Sequence, residues 1–131
     1  MPVNEAIVET PLMRGLERVL DVAALRHRVL TENLANVDTP GYRTREISSF
    51  AGKIEQAMAQ TPQETGETLP VMTPIAREVR GLLERPDGNN VSPERESLLL
   101  AENQLRFATA VAFLKSEFHR LSLAINGGSN S

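Results

Sequence analysis

Asn33-Leu34-Ala35-Asn36-Val37-Asp38-Thr39-Pro40-Gly41-Tyr42 is the stretch where a long amphipathic helix has to stop and the chain has to change direction. Thr39-Pro40-Gly41-Tyr42 reads as a tight turn. Pro40 presets φ for the second turn position and Gly41 tolerates positive φ at the third, the type II arrangement. Thr39, immediately before proline, is pushed out of helical space. Asn36 and Asp38 bond to nearby backbone groups and help unwind the last helical turn. These residue types are suited to fixing a chain path and poorly suited to catalysis.

Upstream of this stop the helix opens at Thr10-Pro11, with Thr10 as N-cap and Pro11 at the first helical position. Leu12, Leu16, Val19, Ala23, Leu30, Leu34 and Val37 recur at mostly 3-4 spacing, and Arg26 stands in the gap. Val22, Leu25 and Val29 form a second row. Two apolar rows on one helix require contacts on more than one side. Over residues 11–36 the helix would be ~39 Å long at 1.5 Å per residue. Gly15 costs roughly 1 kcal/mol against alanine, and marks either a close neighbour or a weak first turn.

A second long helix opens with the same device, Ser92-Pro93, followed by Glu94 and Glu96 in the first turn, where the helix dipole favours acid. Phe107, Val111, Leu114, Phe118, Leu121 and Ile125 keep strict 4-3-4-3-4 spacing, the pattern of a coiled-coil seam. Leu98, Ala101, Leu105, Ala108 and Ala112 form another row. Asn126-Gly127-Gly128 is the expected stop. The two helices are expected to pair as a coiled-coil-like hairpin in an all-α fold. The interface is assigned to Leu16, Val19, Leu30 and Leu34 on the first helix, with the seam on the second.

Between the helices, Pro62, Pro70, Pro74 and Pro86 break the chain into an irregular, partly mobile middle. A short helix is expected over residues 49–60 and a polar mobile stretch over 60–70. Thr73-Pro74 reads as the opening of one or two further helical turns. Residues 79–84 fit helix or strand, and Asp87-Gly88-Asn89-Asn90 is a turn. The expected organisation is one domain in three parts: residues 1–42, 43–91 and 92–131.

Composition narrows the function. The 131 residues carry a net charge of −3 at a pI of about 5.4, so no basic footprint points to nucleic acid. There is no cysteine, which removes disulfides, thiolate zinc sites and cysteine nucleophiles. Aromatics make up 4%, thin for a self-contained core. The first residues lack a basic region and a long apolar run, so no cleaved signal peptide is expected, and no stretch is long enough to span a membrane. His27 and His119 lie on separate helices without spaced companion ligands, a poor metal set. There is no Gly-rich phosphate loop, nucleophile elbow or His-Glu metal motif. No catalytic residue, cofactor or metal is therefore expected. Asn33, Asn103 and Gln104 either set helix register through hydrogen bonds or lie on a solvated face. Glu94, Glu96, Glu102 and Glu117 read as a solvated face. Two helices cannot bury all these apolar rows alone, and leftover apolar surface marks a partner interface.

The run over residues 33–42 resembles the signature of the bacterial flagellar axial proteins, the rod and hook subunits, and residues 25–32 fit the helix leading into it. Asp87-Gly88-Asn89-Asn90-Val91 and Leu100-Ala101-Glu102-Asn103-Gln104-Leu105-Arg106-Phe107 resemble the short proximal rod members of that family. The likeness covers most of residues 12–125 and is weak over 50–85. Two features depart from the pattern: Ser92-Pro93 follows the Asp-Gly-Asn turn, and Phe107 stands where tyrosine is usual. An FlgC-type rod subunit is the alternative within the family, but its last helix is rich in Met, Ser and Tyr. A helical adaptor or chaperone of flagellar export is the alternative outside it.

The resemblance implies a structural, self-associating subunit of the hollow drive shaft, located in the periplasmic rod and exported by the flagellar type III route. It further implies contacts with FlgC-type and further axial proteins, the rod-base adaptor FliE, the membrane ring and the export gate. In that setting the turn sends the chain out of the helical layer, and Tyr42 packs its ring at a subunit boundary with its hydroxyl near water or backbone.

Overall fold

The computed structural model describes residues 11–47 and 74–128. Helix α1 spans Pro11–Ala35, strand β1 Arg45–Ile47, strand β2 Ala76–Glu78 and helix α2 Pro93–Gly128. The fold is helical, with the two long helices packing against each other and one small sheet. Both helices begin at the proline that follows a hydroxyl residue. At the second start Ser92 Oγ accepts the Arg95 amide at 3.3 Å, and Ser92 O accepts the Glu96 amide at 3.0 Å. These two bonds cap α2. α2 runs through Asn126-Gly127 to Gly128, past the expected stop. Among the described residues, nothing lies within 4 Å of where a Cβ on Gly15 would be, so it makes room for none of them.

The sequence reading missed the strands. Residues 76–78 are strand, not the helical turns expected after Thr73-Pro74. β1 and β2 pair antiparallel, with Arg45 opposite Glu78, Glu46 opposite Arg77 and Ile47 opposite Ala76. Two of the three pairs set opposite charges face to face, which favours this register. Residues 79–84, left open between helix and strand, belong to neither. The expected helix over 49–60 and the polar stretch over 60–70 lie outside the described residues.

The chain divides into two compact units, Met1–His27 with Leu98–Ser131, and Arg28–Ser97. Their boundaries fall inside both helices. In the first unit Met13, Ala23 and Ala110 are buried. There Asn103 Nδ2 donates to the Ala23 carbonyl at 2.8 Å, joining the helices by one hydrogen bond. In the second unit Val29, Leu30, Ile47 and Val91 form the apolar core, beside five buried polar residues: Asn33, Thr44, Asn89, Asn90 and Glu96.

Candidate functional site

The polar core of the second unit is built around Asn33. Val29 and Leu30 bury the end of α1 and deliver Asn33 to the interior with no exposure. Its Nδ2 donates to the Arg45 carbonyl at 2.7 Å and to Glu96 Oε2 at 2.9 Å. Its Oδ1 accepts the Tyr42 hydroxyl at 3.0 Å and the Arg45 amide at 3.1 Å. An amide offers two donors and two lone pairs, and all four are used. A buried leucine here would satisfy none of these groups, which is the physical reason for asparagine.

Glu96, in the first turn of α2, has no exposed surface. Burying a carboxylate is costly unless it is paired and hydrogen-bonded. Here one oxygen takes the Asn33 amide and the other takes Arg95 NH1 at 2.7 Å. Arg95 NH2 reaches on to Glu46 Oε2 at 2.9 Å, so α1, α2 and β1 are tied by one charged chain of contacts.

Two turns meet beside this hub. Tyr42 N donates to Thr39 O at 3.2 Å and Gly41 has φ +73°, the features of the expected turn. Asn36 Nδ2 donates to the Glu32 carbonyl at 2.8 Å, satisfying a helix-end acceptor, and its Oδ1 accepts Thr39 Oγ1 at 3.1 Å. The second turn is closed by Gly88 N to Arg85 O at 2.9 Å, with Pro86 at its second position. Gly41 N donates to Asp87 O at 2.8 Å. Gly88 has φ +83°, and a Cβ on it would lie 3.3 Å from the Gly41 backbone. Glycine is needed there for its conformation and for this close approach.

Asn89 and Asn90 stitch the turns together. Asn89 Nδ2 donates to the carbonyls of Asn36 and Thr39, both at 2.9 Å, and its Oδ1 accepts the Val91 amide at 2.8 Å. Asn90 Oδ1 accepts the Thr44 amide at 2.7 Å, and Thr44 Oγ1 donates to Asn90 O at 3.2 Å. On the outside, Arg43 holds Glu78 at 3.0 Å, Glu84 at 3.2 Å and the Gly88 carbonyl at 3.2 Å. Arg85 donates to the Val37 carbonyl. Hydrogen bonds to Glu78 and then Glu84 raise the Arg43 pKa above its ordinary value. The Tyr42 phenol is also raised, first by burial and then by the nearby charges of Glu32 and Glu96, with Arg45 opposing.

This arrangement fixes backbone segments against one another. Among the described residues no cluster of three or more metal-ligating side chains occurs, and no helix is long and apolar enough to cross a membrane. No protein-family model matches the chain. Curated relatives do. The flagellar basal body rod protein FlgB of Salmonella typhimurium is 28% identical over 130 residues, covering 88% of this chain and 94% of that protein. FlgB of Bacillus subtilis is 26% identical with the same coverage. FlgB of Aeromonas hydrophila is 32% identical over 116 residues, covering 82% of this chain and 87% of that protein. The chain belongs to the FlgB family of flagellar basal body rod proteins.

Within this FlgB-family chain the turn motif supplies the hub but does not complete it. Asn33 is buried, and Leu34, Asn36, Val37 and Tyr42 are half-buried. Ala35, Asp38, Thr39, Pro40 and Gly41 are exposed. The Tyr42 hydroxyl reaches the Asn33 side chain, a partner the sequence reading did not name. Glu96 differs from expectation: it is fully buried, and Glu117 keeps a side-chain exposure of only 15%, while Glu94 and Glu102 are exposed. Of the three amides left open, Asn33 and Asn103 are buried and Gln104 is exposed.

Of the assigned helix interface, Leu30 is buried and Leu16, Val19, Leu34, Val111, Leu114 and Leu121 are half-buried. Phe107, Phe118 and Ile125 stay 42, 45 and 49% exposed. The most enclosed row of α2 is Glu96, Asn103, Ala110 and Glu117, spaced by sevens, to one side of the aromatic seam. Its polar and small residues hid it from a hydrophobic pattern. The spacing of seven from Asn103 back to Glu96 was the available signal. Thr44 gave no signal, and Asn89 and Asn90 stood out only as turn residues within the run of residues 87–91 that carries part of the resemblance.

Proposed function

We propose that this chain is a structural subunit of the proximal part of the flagellar rod, with assembly and torque transmission as its work and no catalytic step. Membership of the FlgB family supports the rod, and one observation carries the assembly role. The second apolar row of α2 is uncovered: Leu98 and Leu105 are 70 and 69% exposed, and Ala101, Ala108 and Ala112 are exposed with them. Apolar surface of this extent on one helix favours packing against neighbouring subunits. Summed at roughly 25 cal/mol per Å², many such contacts along a helix hold a shaft together. The helix interface residues named above and the junction at residues 33–42 then act together, one joining subunits and the other fixing the path of the chain within each.

The finer reading includes FlgC-type and further axial subunits as neighbours, FliE, the membrane ring and the export gate as contacts at the base, and export through the flagellar route without a cleaved signal. Mass spectrometry of purified basal bodies tests it. The chain is expected in the rod fraction and crosslinked to FliE, and its absence from that fraction defeats the proposal. Replacing Pro40 and Gly41 together by alanine is expected to abolish swimming while the subunit is still made. Normal swimming would show the turn to be dispensable.

A further inference from the structure

One face of α2 is apolar, exposed and patterned to fit itself. Leu98, Ala101, Leu105 and Ala108 recur at 3-4-3 spacing, so they stand in one row along the helix. Leu98 and Leu105 are 70 and 69% exposed, and the two alanines are exposed between and beyond them. The row lies on the side of α2 opposite Asn103 and Ala110, which are buried. Further along, the same positions are taken by Ala112, Lys115, His119 and Ser122, so the alternation of leucine with alanine ends. We propose that this row pairs with the same row of a second copy, α2 against α2, antiparallel about a two-fold axis level with residue 103.

The register follows from side-chain size. With the axis level with residue 103, Leu98 of each copy lies opposite Ala108 of the other, and Ala101 opposite Leu105. All four layers then hold one leucine and one alanine. Large against small keeps the helix separation even along the contact. A parallel pair in register would set leucine on leucine and alanine on alanine. Two layers would hold the helices apart and the other two would leave gaps, which close packing disfavours. Beyond the four layers Ala112 comes level with Glu94 of the other copy, an exposed acid that ends the dry contact.

The flanks of the row agree with the same axis. On one side Gln104 is exposed one residue from the axis, so the Gln104 side chains of the two copies meet there. An amide carries donors and acceptors together and bonds to its own kind. On the other side Glu102 and Arg106 are exposed and paired at 2.7 Å within the chain. The two copies bring two charges of each sign to that side, and each Glu102 lies within a helical turn of the other copy's Arg106. Opposite charges arranged about the axis fix register more than they add affinity.

Four layers run along only ~15 Å of helix. That length cannot supply the ~800 Å² per partner of a standard interface, so the pair is reversible and depends on concentration. A two-fold contact also closes on itself, whereas a shaft grows by head-to-tail contacts. The proposal rests on the assembly role above, which gives this same row to rod neighbours. The pair is then a reserve outside the rod: it covers the row and separates before a subunit joins.

The full-length chain has no cysteine, so introduced thiols report the register alone. Chains carrying Ala101→Cys are mixed with chains carrying Leu105→Cys and oxidised. The mixture is expected to give at least about tenfold more disulfide-linked dimer than either variant by itself, because only the mixed pair brings two Cβ atoms to bonding distance. As much product from Ala101→Cys alone overturns the register. Sedimentation of the unsubstituted chain is expected to show monomer giving way to dimer as concentration rises. Monomer throughout, or growth past the dimer, overturns the pair. Ala101→Leu, at an exposed helical position that leucine suits, separates fit from stickiness. Crowding a packed layer is expected to weaken dimerisation about tenfold. Tighter association in this variant means unspecific adhesion and overturns the proposal. The linked dimer is then tested for incorporation into rods beside its reduced form and the unsubstituted chain. Equal incorporation overturns the covering of the row but leaves the pair standing. Failure of the unsubstituted chain to incorporate overturns the assembly reading.

Discussion

The second unit hides polar groups, whereas the first leaves apolar ones in view. Within Arg28–Ser97, Asn33, Thr44, Asn89, Asn90 and Glu96 are buried, and each has its partners inside the chain. In the first unit only Met13, Ala23 and Ala110 are buried apolar residues among those described, while Leu98, Leu105, Phe113 and Leu123 are 58–70% exposed. Hydrogen bonds demand distance and angle, so they suit a junction that must close one way. Apolar contact is non-directional, so it suits a surface that adds neighbours. A chain that closed on itself by apolar contact alone would have little to keep its sticky face from joining in.

The widest separation between the regions comes from the hub. Asn33→Leu strips Glu96 and the Arg45 backbone of their partners and should cost about 3 kcal/mol or more, read as a lower urea midpoint. A loss no greater than that of a surface mutant would erase the distinction. Gly88→Ala comes next, at about 1–2 kcal/mol for the left-handed backbone, plus the cost of pushing on Gly41. Gly81 shares the conformation, at φ +82°, but has nothing among the described residues within 4 Å of its Cβ position. Gly81→Ala therefore carries the backbone cost alone, and the difference between the two variants measures how tightly the turns are pressed together.

Asn103→Ala probes the hydrogen bond from Asn103 to the Ala23 carbonyl in the first unit and should cost about 1.5 kcal/mol. Tyr42→Phe should cost about 1 kcal/mol at neutral pH by removing one donor to Asn33. It also has a signature in alkali. The folded phenol titrates above its ordinary value of 10.0, so its contribution is fully present below that pH and is lost as pH rises through the higher folded value. Denaturation titrations should show a decline in stability in this window for the parent chain and a smaller one for Tyr42→Phe. Equal declines would remove Tyr42 as the cause. The smallest effect on folding is expected from Leu98→Ser with Leu105→Ser, within about 0.5 kcal/mol for each exposed position. The same pair should abolish incorporation into the rod. Retained incorporation would send the search for neighbour contacts to another face.

How much of this was legible depended on the range of the interaction. Helix starts at Pro11 and Pro93 were readable because capping is local. Glycine at position 41 was readable because the four residues of a turn specify it. The strands were not, since three residues give too little alternation and Thr73-Pro74 offered a competing helical reading. Glu96 was concealed for a different reason. An acid in the first turn already has a local explanation in the helix dipole, so nothing in its neighbourhood announced a buried partner. Asn89 and Asn90 likewise look like ordinary turn residues until the carbonyls of Asn36 and Thr39 are brought to them.

Asn33 and Glu96 are separated by 63 residues, and Thr44 and Asn90 by 46. During synthesis the end of α1 therefore emerges long before the residues that satisfy it. Contacts this distant in sequence form late and slowly compared with helical turns. A chain halted before residue 89 would hold a buried-type asparagine and two unlatched turns in water. The junction is a checkpoint on completeness: it closes only for a polypeptide that has reached the beginning of its second helix.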